Sequence, residues 1–160
     1  MIKMICFDMD GTIADLYGVE GWLPMLQSSN PTPYKVAKPL VDMKELIPLL
    51  TRFQALNIQI RILTWLSINS TEEYKRKVRI AKLGWLEEQG FIYNNFHGIQ
   101  HGTKKHGVIK RYLAEGETAI LIDDDDKVCA EWSVGATINP KTANIIEELK
   151  KILENLEKGA

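Results

Sequence analysis

Short apolar runs alternate with amphipathic stretches along this chain, and no other feature restricts its fold as much. Ile2–Phe7 is apolar apart from Lys3, Ile58–Leu63 (IQIRIL) alternates with period two, and Ala119–Ile122 (AILI) is continuously apolar. Phe96–Gln100 and Ala136–Ile138 are weaker runs of the same kind. Between them lie helical stripes. Tyr74, Val78, Ala81 and Trp85 fall at i, i+4, i+7 and i+11, one face of a helix, with Ser70 and Glu73 placed as a capping box. Met43, Leu46, Leu50 and Phe53 mark an earlier helix, with Pro48 either in its first turn or at a kink. Val108, Ile109, Tyr112 and Leu113 mark a shorter one with Thr103 as cap, and Ile145, Leu149, Ile152 and Leu156 a last one ending at Gly159. This alternation predicts an α/β fold: a Rossmann-like, mainly parallel sheet with helices on both faces. The AILI run fits a strand covered on both sides.

The 160 residues are enough for one domain, 1–160, with a sizeable core. The stretch 14–42, rich in Gly, Ser and Pro, breaks the pattern and is expected to form a short irregular flap or minimal cap. With 45% apolar residues, 26% charged ones and a net charge of −1, the chain reads as a globular protein without a basic footprint for nucleic acid. No apolar stretch is long enough to span a bilayer. Cys6 and Cys129 have no metal or disulfide spacing, so they read as reduced residues of a cytoplasmic protein.

In a parallel sheet the ligand site lies beyond the carboxyl ends of the strands. The polar residues that follow the apolar runs therefore carry the chemistry. ICFDMDGT places Asp8 and Asp10 after the first run, Thr64 closes the second, and Asp123–Asp126 follow AILI. GTKKHG puts Lys104 and Lys105 at a helix start. In extended chain, residues two apart point the same way, so Asp8 and Asp10 can converge. Such like charges are costly unless they share a proton or hold a cation. Asp123 or Asp124 adds to the repulsion, and Mg2+ with its oxygen ligands resolves it. Gly11 lets the chain turn sharply, and Thr12 offers a hydroxyl and an N–H to an anion.

These four motifs, in this order over residues 5–126, resemble those of the haloacid dehalogenase (HAD) superfamily of magnesium-dependent phosphatases. The resemblance implies a HAD-like fold and a hydrolase, a phosphatase of phosphoric monoesters. It implies Asp8 as nucleophile, forming an aspartyl-phosphate, and Asp10 as general acid and then base. Thr64 and Lys105 would hold the phosphoryl oxygens and the nucleophile. The Asp8 carboxylate, the Asp10 carbonyl and the acidic pair would bind magnesium, with Asp124 as direct ligand and Asp123 beside it. Two departures stand out: four aspartates replace the usual pair, and Lys104 could fill the role given to Lys105. Asp125 and Asp126 read as a solvated acidic turn.

The stretch 14–42 is too short for a full cap domain, so the chain looks capless or minimally capped. The layout looks closest to the deoxyribonucleotidase-like branch, which implies a nucleotidase. Trp22, with Tyr17 and Tyr34, could stack on a base, and Trp65 could either pack or touch substrate. The expected partner is thus a phosphorylated small molecule, with a nucleotide favoured and a homo-oligomer left open. A polynucleotide-end phosphatase is one alternative, and a non-hydrolytic phosphoacceptor or binding protein on the same fold another. A receiver-type signalling module would carry its acidic pair after the first strand, the reverse of the order here.

Overall fold

The structure is a computed structural model and describes residues 1–68 and 70–159. Its centre is a five-stranded sheet of β1 (Ile2–Phe7), β4 (Gln59–Trp65), β5 (Asn95–Ile99), β6 (Thr118–Ile122) and β7 (Thr137–Ile138). The order is β5-β4-β1-β6-β7, and every pairing is parallel. The chain leaves β1 toward β4 and β5, then crosses back to β6 on the other side of β1. That reversal opens a crevice beyond the carboxyl ends of β1 and β6, where the acidic motifs fall.

The two faces of the sheet explain the apolar runs. Ile5, Phe7, Ile60, Ile62, Ile120 and Ile122 pack on one side against α3 (Met43–Ala55) and α7 (Ile145–Lys158), through Leu46, Leu50, Phe53 and Leu149. Met4, Cys6, Leu63, Ala119 and Leu121 face the other side, with Ile109 of α5 (Lys105–Lys110) and Val128 of α6 (Asp126–Glu131). Strands buried on both faces read as continuous apolar runs, as AILI does.

Helix ends differ in detail from the expectation. Thr71, not Ser70, caps α4 (Glu72–Glu88), accepting from the Tyr74 N–H at 3.1 Å. Lys104, not Thr103, is the residue before α5, and its side chain makes no capping bond. Tyr112 lies beyond the end of α5 with its ring over the Arg61 guanidinium. Pro48 sits inside α3, past its first turn.

The stretch 14–42 is largely structured. A two-strand clip, β2 (Ala14–Asp15) antiparallel to β3 (Lys38–Pro39), joins its ends. Between them come a 3-10 turn (Leu16–Gly18) and two short helices, α1 (Trp22–Gln27) and α2 (Thr32–Val36). Leu16 and Tyr34 bury against Tyr74, Val78 and Ala81 of α4, with Trp22, Leu26 and Leu66 packed around them. The segment is thus fastened to α4 beside the crevice.

Candidate active site

Asp8 directly follows β1, and its N–H donates to the Ile122 carbonyl at 2.9 Å, prolonging the ladder by one residue. The chain then turns tightly, with the Met9 carbonyl accepting from Thr12, Ile13 and Ala14. Gly11 has φ +78°, and a Cβ there would lie 2.5 Å from Asp124 Oδ2. Both the turn and the close approach of Asp124 therefore require glycine. Thr12 is buried under the turn. Its hydroxyl lies 3.1 Å from Asp8 Oδ2 and 3.0 Å from Asp124 Oδ1, and it accepts from the Asp124 N–H at 3.1 Å. A single O–H donates to one carboxylate at a time. Thr12 is thus a brace between the acidic loops, and neither it nor Gly11 lines the main cleft.

Lys105 Nζ lies 2.9 Å from Asp8 Oδ1 and 2.7 Å from Asp123 Oδ2, all three side chains being largely buried. Trp65 fixes the loop before it: the indole N–H donates to the Thr103 carbonyl at 3.0 Å, and its ring lies under the Lys105 ammonium. Lys104 is exposed and does not line the cleft. The geometry therefore separates two lysines that are adjacent in the sequence.

The four aspartates after β6 divide the work. Asp123 meets Lys105 and also accepts from the Asp125 N–H. Asp124 meets Thr12. Asp125 caps α6, accepting from the N–H groups of Lys127 and Val128. Asp126 accepts from the Asn139 amide and pairs with Lys141. Oxygens of Asp8, Asp123 and Asp124 come within 4.8 Å of one another. An all-carboxylate set of this size suits a hard divalent cation. The Asp10 carboxylate points elsewhere.

It points to Lys82, a residue that the sequence reading missed. Lys82 is buried on α4, and its ammonium donates to Asp10 Oδ2 at 2.7 Å, Thr64 Oγ1 at 2.7 Å and the Trp65 carbonyl at 2.8 Å. The available signal was its place in the stripe: Tyr74, Val78 and Lys82 are spaced by four. Thr64 is fully buried, and β4 runs one residue beyond it.

Electrostatics agree with a site short of positive charge. Burial pushes the Asp10 carboxyl above the ordinary carboxylate range, with Asp8 adding repulsion and Lys82 opposing both. Burial and the Asp8 charge raise Asp123 to about 7, against the pull of Lys105. Asp124 moves up for the same two reasons, burial and then Asp8. Burial favours the neutral form of Lys105, but Asp8 and Asp123 outweigh it and hold the ammonium charged. A divalent cation among Asp8, Asp123 and Asp124 would relieve this crowding.

Asp8, Asp10, Lys105, Asp123 and Asp124 open onto a cleft of about 850 Å³. Its other wall is apolar and aromatic, including Tyr17, Trp22, Leu23, Tyr34, Ile68 and Tyr74. The rings of Tyr17 and Trp22 meet edge to face at 5.0 Å. Trp65 and Trp22 both line this cleft.

No protein-family model and no curated protein sequence matches the chain. Among solved structures, it is similar to a D,D-heptose 1,7-bisphosphate phosphatase from B. bronchiseptica, complexed with magnesium and phosphate. The match covers 99% of both chains, with a TM-score of 0.54 and 13% identity. The chain has the HAD-like fold. Within a HAD-like fold the crevice beyond β1 and β6 is occupied here by Asp8, Asp123 and Asp124, with Lys105 reaching them from α5.

Proposed function

We propose that this chain is a magnesium-dependent phosphatase that hydrolyses phosphomonoesters through an aspartyl-phosphate on Asp8. The observation that carries the reading is Asp8 itself: a carboxylate at the cleft, held by Lys105 and sharing a cation-sized acidic cluster. The likeness to a phosphatase bound to magnesium and phosphate supports it.

The chain's own residues account for the steps. An Asp8 carboxylate oxygen attacks phosphorus, and the bond from phosphorus to the ester oxygen breaks. Asp10 gives its proton to that departing oxygen, and its raised affinity for a proton suits the role. Asp10 then takes a proton from a water that attacks phosphorus, which breaks the acyl-phosphate bond and frees Asp8. Lys105 orients Asp8 and offsets phosphoryl charge. Asp8, Asp123 and Asp124 would hold Mg2+, which supplies positive charge against the phosphoryl oxygens. Asp10 would add its carbonyl oxygen to that set. With p-nitrophenyl phosphate, turnover should require Mg2+ and vanish with EDTA. Undiminished turnover after complete chelation would reject the metal assignment.

For the substrate we favour nucleoside monophosphates or similarly flat-headed phosphoesters. Support comes from the aromatic wall, on which a base gains about 1–3 kcal/mol by stacking. The Arg and Lys side chains among the described cleft residues are Lys105, Lys127 and Lys141. Lys105 is committed to Asp8 and Asp123, and Lys141 to Asp126. Among the described residues the aromatic wall itself carries no Arg or Lys, so a second phosphate would be left with Lys127 alone. Tyr34 is buried and fastens the segment to α4, whereas Tyr17 is exposed and Trp22 partly so. Trp22→Ala should therefore lower kcat/KM for deoxynucleoside monophosphates about five- to hundredfold, the loss of one stack. Sugar phosphates and a 3′-phosphorylated oligonucleotide should change little. Equal loss on every substrate would make Trp22 a packing residue, and a wild-type preference for sugar phosphates would reject the nucleotide reading.

A further inference from the structure

We propose that Lys82 is a positioning residue for the Asp10 carboxyl, clamping one of its oxygens so that the other is presented to the leaving group. The inference rests on the phosphatase reading and adds a residue to it. Lys82 has 1% exposure, and its three ammonium hydrogens are all used, on Asp10 Oδ2, Thr64 Oγ1 and the Trp65 carbonyl. Among the described residues, Lys82 is the hydrogen-bond donor to the Asp10 side chain, and it reaches Oδ2 alone. Oδ1 is left for a proton and a departing oxygen.

The site gives reasons to expect more than a cross-link. A buried ion pair is often replaceable by well-packed apolar residues without loss of stability, so stability alone is a weak reason for a lysine here. The buried face of α4 that carries it is otherwise Tyr74, Val78, Ala81, Trp85 and Leu86. The Tyr34 ring lies 5.0 Å from the ammonium, so the clamp is also walled by the segment that borders the cleft. One cation thus ties Asp10 after β1, Thr64 in β4 and helix α4 into a single unit. A free aspartate would sample several rotamers, whereas this one is held in the orientation that the first chemical step needs.

The experiment exploits leaving groups. A poor leaving group, such as an alkyl phosphate, needs a proton from Asp10, whereas 2,4-dinitrophenyl phosphate departs without one. Measured as kcat/KM, which ends at cleavage of the ester, Lys82→Met should lose about a hundredfold on the alkyl phosphate, at the low end of what general acids contribute. The dinitrophenyl ester should lose much less, about threefold. Asp10→Asn should show the same leaving-group dependence, and adding Lys82→Met to it should remove the selectivity of the lysine change. Circular dichroism checks folding, and Lys82→Leu, which also lacks a donor, carries the comparison if Lys82→Met does not fold. Equal losses on both esters would overturn the proposal, as would failure of both variants to fold, since the lysine would then be structural. A wild-type protein without phosphatase activity would instead reject the underlying function, which is a distinguishable result.

Discussion

Asp8→Asn should abolish turnover, lowering kcat by roughly 10⁴-fold or more, as loss of a nucleophile does in other covalent mechanisms. The carboxamide nitrogen cannot attack phosphorus, and the amide oxygen lacks the charge that makes a carboxylate reactive. The fold should survive, because the substitution is isosteric and the Asp8 N–H still reaches the Ile122 carbonyl. Lys105 would keep its contact with Asp123. Incubation with a radiolabelled phosphomonoester should label the wild-type protein transiently and leave the variant unlabelled. A folded Asp8→Asn protein that retained a tenth of the wild-type rate would sink the aspartyl-phosphate mechanism.

Lys105→Ala should damage both activity and stability, while Lys104→Ala should do neither. Lys105 is 4% exposed and bridges two carboxylates, so its loss leaves Asp8 and Asp123 facing each other without a cation. Breaking a buried pair by removing one partner costs about 3–5 kcal/mol. For a chain of this size that is roughly 6–20 °C in Tm. Turnover should fall at least about tenfold to a hundredfold through the missing contact to a phosphoryl oxygen. Mg2+ should restore part of the lost stability, because it supplies positive charge to the same carboxylates. Lys104 is exposed and its side chain makes no capping bond or contact with the site among the described residues, so its removal should leave Tm and kcat/KM within error. The reverse pattern, a damaging Lys104→Ala beside a silent Lys105→Ala, would shift the assignment by one residue.

Much of this architecture was legible in the sequence because it rests on local periodicity. All five sheet strands lie within two residues of the runs read in the sequence: β1 and β6, covered on both faces, have to be apolar almost throughout, whereas the edge strands β5 and β7 left only the weaker runs. The α4 and α7 stripes follow from the helical repeat in the same way. Asp8, Asp10, Thr64 and the acidic run were visible because sites in such folds lie just past strand ends. Helix caps were read one residue off at Ser70 and Thr103. Ser67, Ser70 and Thr71 all precede α4, and α5 begins after Lys104 without a side-chain cap, so only backbone geometry sets where each helix starts.

What the sequence by itself determined is therefore the set of strands, their alternation with helices, and the acidic and lysine motifs around one crevice. Tertiary structure alone decided which of those side chains meet. It sorted Asp123 and Asp124 into the cluster and gave Asp125 to the α6 cap and Asp126 to the Asn139 loop. It also chose Lys105 over Lys104, because α5 begins between them and turns their side chains in different directions. Lys82 was hidden for the same reason. Its partners lie 18 residues away at Thr64 and 72 away at Asp10, and only the packing of α4 against the sheet brings them within reach. A lysine among the charged residues of an amphipathic helix looks like solvent-facing surface until burial shows otherwise, because periodicity encodes which face is apolar but not which polar group is enclosed there.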